Sequence, residues 1–246
     1  MNRILKITIT TLAFWLTVVA QAKERPNIVL LLASDISQAD LGAYGHPVIE
    51  TPNIDALAAN GMRFNNAYLA SSSFSPSRYS IITGRYPHNT GAPELHKPLP
   101  AEQIRFPELL RESGYYTVLA GQNHHIGRQR SVGQDRAFDK ISGGIQQNWA
   151  ELIRERPKGK PSFFWFASHH AHRGWMRGGH GEGYNIDDII VPPYTVDTIT
   201  TREDLAGSYL EVTRFDQFVG MITEEVREHG ILQNTLSIIA SDSGRP

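Results

Sequence analysis

Four short runs rich in apolar, β-branched and aromatic residues constrain the fold of this chain more than any other feature. They cover residues 28–33, 115–120, 162–167 and 235–240. Continuous runs of this kind are typical of strands buried on both faces, as the strands of parallel sheets are. Helical patterns separate the runs, so the sequence predicts an α/β fold with a mostly parallel central sheet flanked by helices.

The predicted helices are bounded by residues that favour helix ends. Thr51 is suited to an N-cap, Pro52 to the first helical position and Gly61 to a C-terminal stop. Further helices are predicted over residues 107–113, around 148–156, and from 201 to 230 with apolar residues at three- and four-residue intervals. Residues 62–70 are predicted as an additional strand.

The Ser-rich stretch over residues 71–85 has the features of a helix start. Ser75 is expected as the N-cap, Pro76 as the first helical residue and Gly84 as the left-handed stop. Arg78 lies on the first turn, where backbone N–H groups and the helix dipole favour an anion. Taken alone, the stretch is equally consistent with a loop that precedes a short amphipathic helix.

Polar side chains follow each predicted strand at the point where it ends. They are Asp35, His124 and His125, His169 and His172, and Asp242, and residues 71–78 follow a further strand-like segment. A single His is usually a hydrogen-bonded loop residue. The carboxyl ends of parallel strands meet at one edge, however, and ligands bind there. The set therefore predicts an active-site rim, and residues 173–194, which are rich in Gly and Pro, are a candidate substrate loop.

The composition excludes several classes of site. The chain has 246 residues, enough for about one α/β domain, and it contains no Cys. Disulfides, thiolate zinc sites and a Cys nucleophile are therefore impossible. The formal net charge of −1 provides no basic field for nucleic acid, so no nucleic-acid partner is expected.

The N-terminus has the pattern of a secretory signal peptide over residues 1–22. Arg3 and Lys6 precede an apolar run, which ends in the small-x-small sequence Ala20-Gln21-Ala22. The run is short for a membrane span, although an uncleaved anchor is the alternative. The sequence therefore predicts a secreted or periplasmic protein that begins near Lys23 and has no stable membrane span after cleavage.

Specific motifs extend from residue 25 to the end of the chain. They occupy residues 25–33, 50–58, 61–68, 75–78 with 83–85, 163–172, 191–194 and 241–244. On these motifs the chain resembles the sulfatases of the alkaline-phosphatase-like superfamily, and it looks most like their heparan N-sulfatase-like branch. The resemblance implies that residues 23–246 form the N-terminal part of a sulfatase domain, truncated at its C-terminus.

The resemblance also implies a reaction and its catalytic residues. In sulfatases, a Cys or Ser two positions before the motif Pro is oxidised to formylglycine, whose hydrate attacks sulfur. That position is Phe74 here, so formylglycine cannot form at it. Arg78 stands at the motif Arg, and His125 and His172 at catalytic His positions. Asn123 replaces a family Lys and, with His169, would contact substrate.

The resemblance further implies a calcium site with weakened ligands. Asp35 and Asp242 stand at metal positions, whereas Ser34 and Ser243 replace a family Asp and Asn. Calcium affinity depends on the charge of the ligands, so the substitutions are expected to weaken binding.

The implied function is hydrolysis of sulfuric esters or N-sulfates on sulfated sugars or glycosaminoglycan fragments. Ser73 and Ser75 are each one residue out of register with the nucleophile position, and a misplacement of about 1 Å can cost roughly 100-fold in rate. Together with the metal and Lys substitutions, this indicates that the copy is impaired or inactive. The alternatives are a non-catalytic homologue that binds sulfated glycans, and a truncated, decaying paralogue that stops after a central strand.

Overall fold

The structure, a computed structural model, describes residues 25–122, 135–143, 146–175 and 183–245. Its strands are β1 (Asn27–Ala33), β2 (Tyr116–Gly121), β3 (Lys140–Ser142), β4 (Ser162–Ala167) and β5 (Thr235–Ser241). Its α-helices are α1 (Pro52–Ala59), α2 (Phe74–Thr83), α3 (Phe106–Glu112), α4 (Trp149–Arg154) and α5 (Ile199–Glu228). Short 3-10 helices cover Gln38–Asp40, Gly42–Tyr44, Pro87–Asn89, Gln146–Asn148, Ile186–Asp188 and Leu232–Asn234.

The five strands form one parallel sheet in the order β3-β2-β4-β1-β5. This confirms the predicted α/β class. Leu30 of β1 lies beside Trp165 of β4 and Ile238 of β5. Nearly every residue of β1 and β4 is buried, as expected for strands covered on both faces. The short strand β3 was not predicted, because its three residues lie in a polar stretch without a period-2 pattern.

Hydrophobic residues fill both faces of the sheet. On one face Val29, Leu31 and Phe164 pack with the apolar stripe of α5, which includes Phe215 and Val219. On the other face Leu30, Leu32, Phe163 and Trp165 pack with Ile82 of α2 and with Phe138. The helices therefore lie against the sheet through alternating residues of the strands. This arrangement fixes the ends of the strands relative to one another.

Helix α2 begins earlier than the sequence predicts. Its first residue is Phe74 and its N-cap is Ser73, rather than Pro76 and Ser75. The first helical hydrogen bond runs from the Ser77 N–H to the Ser73 carbonyl at 2.8 Å. Pro76 is tolerated at the third helical position because the first residues of a helix need no internal N–H partner. The predicted stop is present, with Gly84 in the left-handed region at φ 66°.

Two further predictions about strands are wrong. Residues 62–70 contain no strand, and all of them are exposed, including Phe64 and Tyr68. Their residue types favour a strand, but no other described strand lies beside them to supply hydrogen bonds. The last strand, β5, was expected to be central but lies at the edge of the sheet that the structure describes, where Leu236 and Ile238 are partly exposed.

The long helix α5 begins two residues before the predicted start, at Ile199, and the Thr198 side chain accepts a hydrogen bond from the Thr201 N–H. A buried carboxylate on its inner face, Asp216, holds the start of α1 by accepting from the backbone N–H groups of Asn53 and Ile54 at 3.2 and 2.8 Å. No helix among the described residues is long and apolar enough to cross a membrane. The predicted signal peptide lies outside the described residues.

Candidate functional site

The loops that follow three adjacent strands are joined by backbone hydrogen bonds at one edge of the sheet. After β1, the Ser34 N–H donates to the His170 carbonyl at 2.8 Å, and the Ser34 carbonyl accepts from Ala171 at 2.5 Å. After β5, the Asp242 N–H donates to the Ala33 carbonyl at 3.1 Å. The polar residues after β1, β4 and β5 are therefore held in fixed positions where parallel-sheet proteins bind ligands.

Arg78 is the buried basic group of this site. It lies on the second turn of α2 and is fully buried. Its Nε donates to Asp242 Oδ2 at 2.6 Å, and its Nη1 donates to the Gln122 carbonyl at 3.2 Å. Burial lowers the pKa of Arg78, whereas the Asp242 carboxylate acts in the opposite direction. The remaining nitrogen, Nη2, is buried without a hydrogen-bond partner.

A serine hydroxyl joins the two carboxylates that the sequence places at metal positions. Ser243 Oγ lies 2.6 Å from Asp35 Oδ1 and 3.1 Å from Asp242 Oδ1. Asp35 also accepts from the Arg173 backbone N–H. Burial raises the pKa of Asp35 and the Asp242 charge adds to the rise, whereas the Ser243 hydrogen bond and the nearby His172 lower it. Ser34 is fully buried beside them, and its hydroxyl has no partner.

The donor set fits calcium poorly. Calcium in proteins takes about six to eight oxygen ligands, several of them carboxylate oxygens. Here Asp242 and Asp35 already accept hydrogen bonds from Arg78 and Ser243, and the other nearby side chains at the predicted metal positions are neutral hydroxyls. Among the described residues, no group of three or more His, Asp or Glu side chains is arranged to hold a metal ion. No step of a reaction is therefore assigned to a metal.

His172 and Phe74 form the outer surface of the site. Their ring centroids are 4.9 Å apart with an interplanar angle of 38°, and the His172 Nδ1 lies 2.8 Å from the Arg173 carbonyl. His172 is exposed and Phe74 is half-buried. The position that the sequence register gives to a nucleophile is thus occupied by an aromatic ring with no polar atom.

His169 is also at this edge, but it contacts a residue that the sequence predictions did not include. Its Nδ1 lies 2.6 Å from the Gln122 Nε2. Partial burial, together with the positive charges of Arg78 and neighbouring histidines, lowers the pKa of His169. Gln122 follows β2 directly and supplies its carbonyl to Arg78, so its position after a strand was the signal that could have identified it.

Two of the sequence-predicted site residues, Asn123 and His125, lie outside the described residues. The adjacent His170, by contrast, contacts Glu211 of α5 and stacks on Phe218, with 5.5 Å between the ring centroids. His170 therefore ties the loop after β4 to the long helix. The structure thus brings together Asp35, Asp242, Ser34, Ser243, Arg78, Phe74, His169 and His172.

Comparison with known proteins gives consistent matches. The family model described as Sulfatase matches residues 26–246. N-sulphoglucosamine sulphohydrolase of Homo sapiens is 32% identical over 267 residues, which cover 94% of this chain and 53% of that protein. Arylsulfatase A of Homo sapiens is 26% identical over 281 residues, which cover 89% of this chain and 52% of that protein. The chain spans about half the length of these curated relatives.

The fold is also found in solved structures. One of them, a protein in complex with its substrate D-glucosamine-2-N,6-O-disulfate, has a TM-score of 0.73 and 20% sequence identity. The match covers 90% of this chain and 66% of that one. At this identity the similarity establishes a shared fold.

Proposed function

Because the chain belongs to the sulfatase family, we propose that its site binds a sulfate group on a sulfated sugar and does not release it by formylglycine chemistry. The relatives support a sulfated ligand, since their names and the bound substrate of the structural neighbour refer to sulfate on sugars or aryl groups. A glycosaminoglycan fragment or a sulfated monosaccharide is the proposed partner. The signal-peptide pattern supports a secreted or periplasmic location, and residues 23–246 are proposed as an N-terminal sulfatase-like domain.

The observation that carries the proposal is the contact between Phe74 and His172. The ring centroids are 4.9 Å apart at the start of α2. Phe74 lies two positions before Pro76, which is the position that the sulfatase motif gives to the nucleophile. A phenyl ring has no atom that can attack sulfur. Ser75 offers no substitute, because it is buried and its hydroxyl accepts from the His96 N–H at 2.8 Å.

Binding of the anion is supported by donors that surround this position. At the positive end of α2, a helix of ten residues, the N-cap Ser73 makes no side-chain hydrogen bond to the backbone N–H groups of the first turn, those of Phe74 and Ser75. Phe74 and Arg78 are one turn apart and lie on the same face of the helix. The unpartnered Arg78 Nη2 is therefore a buried donor next to the position that Phe74 occupies. His172 adds an exposed imidazole ring at the mouth of the site.

The first experiment separates turnover from binding. Purified protein is incubated with an aryl sulfate and with N-sulfoglucosamine, and released sulfate is measured. We expect none, because Phe74 supplies no nucleophile. Heparin-derived disaccharides are then titrated by calorimetry, and saturable binding is expected. Sulfate release by the wild-type protein would refute the non-catalytic part of the proposal, and the absence of any binding would refute the remainder.

A matched pair of variants tests whether the site is used. His172→Ala removes the exposed ring that contacts Phe74 and is expected to weaken disaccharide binding at least several-fold. His88→Ala is the control, because His88 is also exposed and stacks on a neighbouring ring, that of Tyr86 at 5.9 Å. It lies in the 3-10 helix Pro87–Asn89, which follows the C-terminal end of α2, whereas Phe74 is the first residue of α2. Equal losses in both variants would contradict the assignment of the site.

A further inference from the structure

We propose that the carboxylates of Asp35 and Asp242 are neutralised by the protein's own donors, so that the site holds its sulfate ligand without a tightly bound divalent cation. The inference deepens the proposed function, on which it rests for the identity of the ligand. It is carried by the donor set and its hydrogen bonds, which differ from what a calcium ion requires.

The first argument is the charge on Asp242. This carboxylate is fully buried, and its Oδ2 lies 2.6 Å from Arg78 Nε, which is also fully buried. A calcium ion bound to Asp242 would lie about 2.3–2.6 Å from a carboxylate oxygen and hence close to the guanidinium. The guanidinium charge on the same buried carboxylate opposes the binding of a second cation there. Arg78 therefore occupies the role of counter-ion to Asp242.

The second argument is the position of the Ser243 hydroxyl. Its oxygen lies within hydrogen-bond distance of Asp35 Oδ1 and of Asp242 Oδ1, at 2.6 and 3.1 Å. An ion ligated by both carboxylates would have to lie in the same space. The hydroxyl has a single proton, which serves the shorter contact to Asp35. Asp35 is supported further by the Arg173 backbone N–H. Asp35 therefore has two donors within the protein, and Asp242 has the Arg78 guanidinium.

The third argument is the neutral residue beside this pair. Ser34 is fully buried, and its hydroxyl has no partner. It stands where the sulfatase resemblance implies an Asp. The ligands that remain are two carboxylates, and one guanidinium offsets one of their charges. The net charge of about −1 gives little attraction for a divalent ion, because calcium affinity depends on ligand charge and site rigidity.

The inference is tested first on the wild-type protein. Chelator-treated protein is titrated with CaCl₂ by calorimetry and melted with and without about 1 mM calcium. We expect no saturable heat below about 1 mM and an unchanged melting midpoint. A site with a Kd of about 10 μM would instead raise the midpoint by roughly 5–10 °C. Stoichiometric binding of one calcium ion at micromolar affinity would overturn the proposal.

A variant designed to restore calcium binding tests whether Ser34 and Ser243 are the reason that the wild type binds calcium weakly. Ser34→Asp combined with Ser243→Asn adds a charged ligand and replaces the bridging hydroxyl, and it is expected to bind calcium at least 10-fold more tightly than the wild type. Gln233→Glu combined with Ser243→Asn is the control, because Gln233 is exposed in the 3-10 helix that precedes β5, and the variant adds the same charge at the opposite edge of the sheet. A folded Ser34→Asp/Ser243→Asn protein that binds no calcium would contradict the inference.

The same design separates this inference from the proposed function. Disaccharide binding by the wild type is measured in EDTA and in calcium, and equal affinities are expected. An affinity at least 10-fold higher in calcium would overturn the inference while leaving the proposed function intact. Absence of disaccharide binding in both conditions would refute the proposed function, and the calcium titration would still decide the state of the carboxylate pair. If the combined variant does not fold, the inference is tested by calcium titration of Ser243→Asn alone and of the wild type.

Discussion

The buried pair of Arg78 and Asp242 gives the sharpest test of how this edge of the sheet is held together. Asp242→Asn keeps the shape of the side chain and removes its charge. Arg78 then keeps the Gln122 carbonyl at 3.2 Å but loses its buried ionic partner, and its Nη2 is unpartnered. Removing one member of a buried ion pair costs about 3–5 kcal/mol. Since the Asn amide retains an acceptor, we expect a loss near the lower end, about 3 kcal/mol.

This loss is measurable by urea unfolding, followed by tryptophan fluorescence and circular dichroism. For a chain of this size, about 3 kcal/mol corresponds to a melting midpoint lower by roughly 6–12 °C. Asp197→Asn is the control, because Asp197 Oδ1 also lies 2.6 Å from an arginine Nε, that of Arg202, but Asp197 is exposed and Arg202 is only partly buried. No resolvable change in stability is expected from the control.

The double variant Arg78→Met/Asp242→Asn completes the test. Removing both charges takes away the unpaired buried guanidinium, so the double variant should be more stable than Asp242→Asn alone. The reasoning is refuted if the stability of Asp242→Asn lies within about 1 kcal/mol of the wild type, or if the double variant is no more stable than Asp242→Asn alone.

Three further predictions concern the scaffold. Glu211 has a lowered pKa because hydrogen bonds from His170 and Arg214 outweigh the opposing effect of burial; Glu211→Gln should therefore cost roughly 2 kcal/mol at neutral pH. That difference should shrink as the pH falls below the unfolded value of 4.5, and a constant difference between pH 3 and 7 in urea titrations would contradict it. Gly220→Ala would place a Cβ 2.5 Å from Asn53 Oδ1, so it should destabilise by about 1–3 kcal/mol, whereas Gly143→Ala, with open space around it, should not. Gly121→Ala would place a Cβ 2.0 Å from a carbonyl oxygen of β4 at φ 91°; it should cost on the order of 3 kcal/mol, and a melting curve like that of the wild type would rule this out.

The strand predictions show what local pattern can and cannot establish. Apolar runs identified β1, β2, β4 and β5, because a strand buried on both faces has few polar residues. They did not give the order β3-β2-β4-β1-β5, which depends on how the helices cross over the sheet. Residues 62–70 have strand-like composition but no strand in the structure. Strand formation requires a hydrogen-bonded neighbour, which a local pattern cannot supply.

The sequence likewise predicted some features of the candidate site and not others. By itself, the sequence determined which polar residues follow the strands, and hence that Asp35, His172 and Asp242 lie at one edge of the sheet. It also determined the register of the Pro76 and Arg78 motif and the absence of a nucleophile at Phe74. These features depend on positions along the chain and on side-chain chemistry.

Only the tertiary structure decided which groups meet. Arg78 and Asp242 are 164 residues apart, and their contact exists because α2 packs beside the ends of the strands. The bridge from Ser243 to Asp35 spans 208 residues and depends on the pairing of β1 with β5. Ionic and hydrogen-bonding partners are chosen by distances of a few ångströms in space, and sequence separation carries no information about those distances.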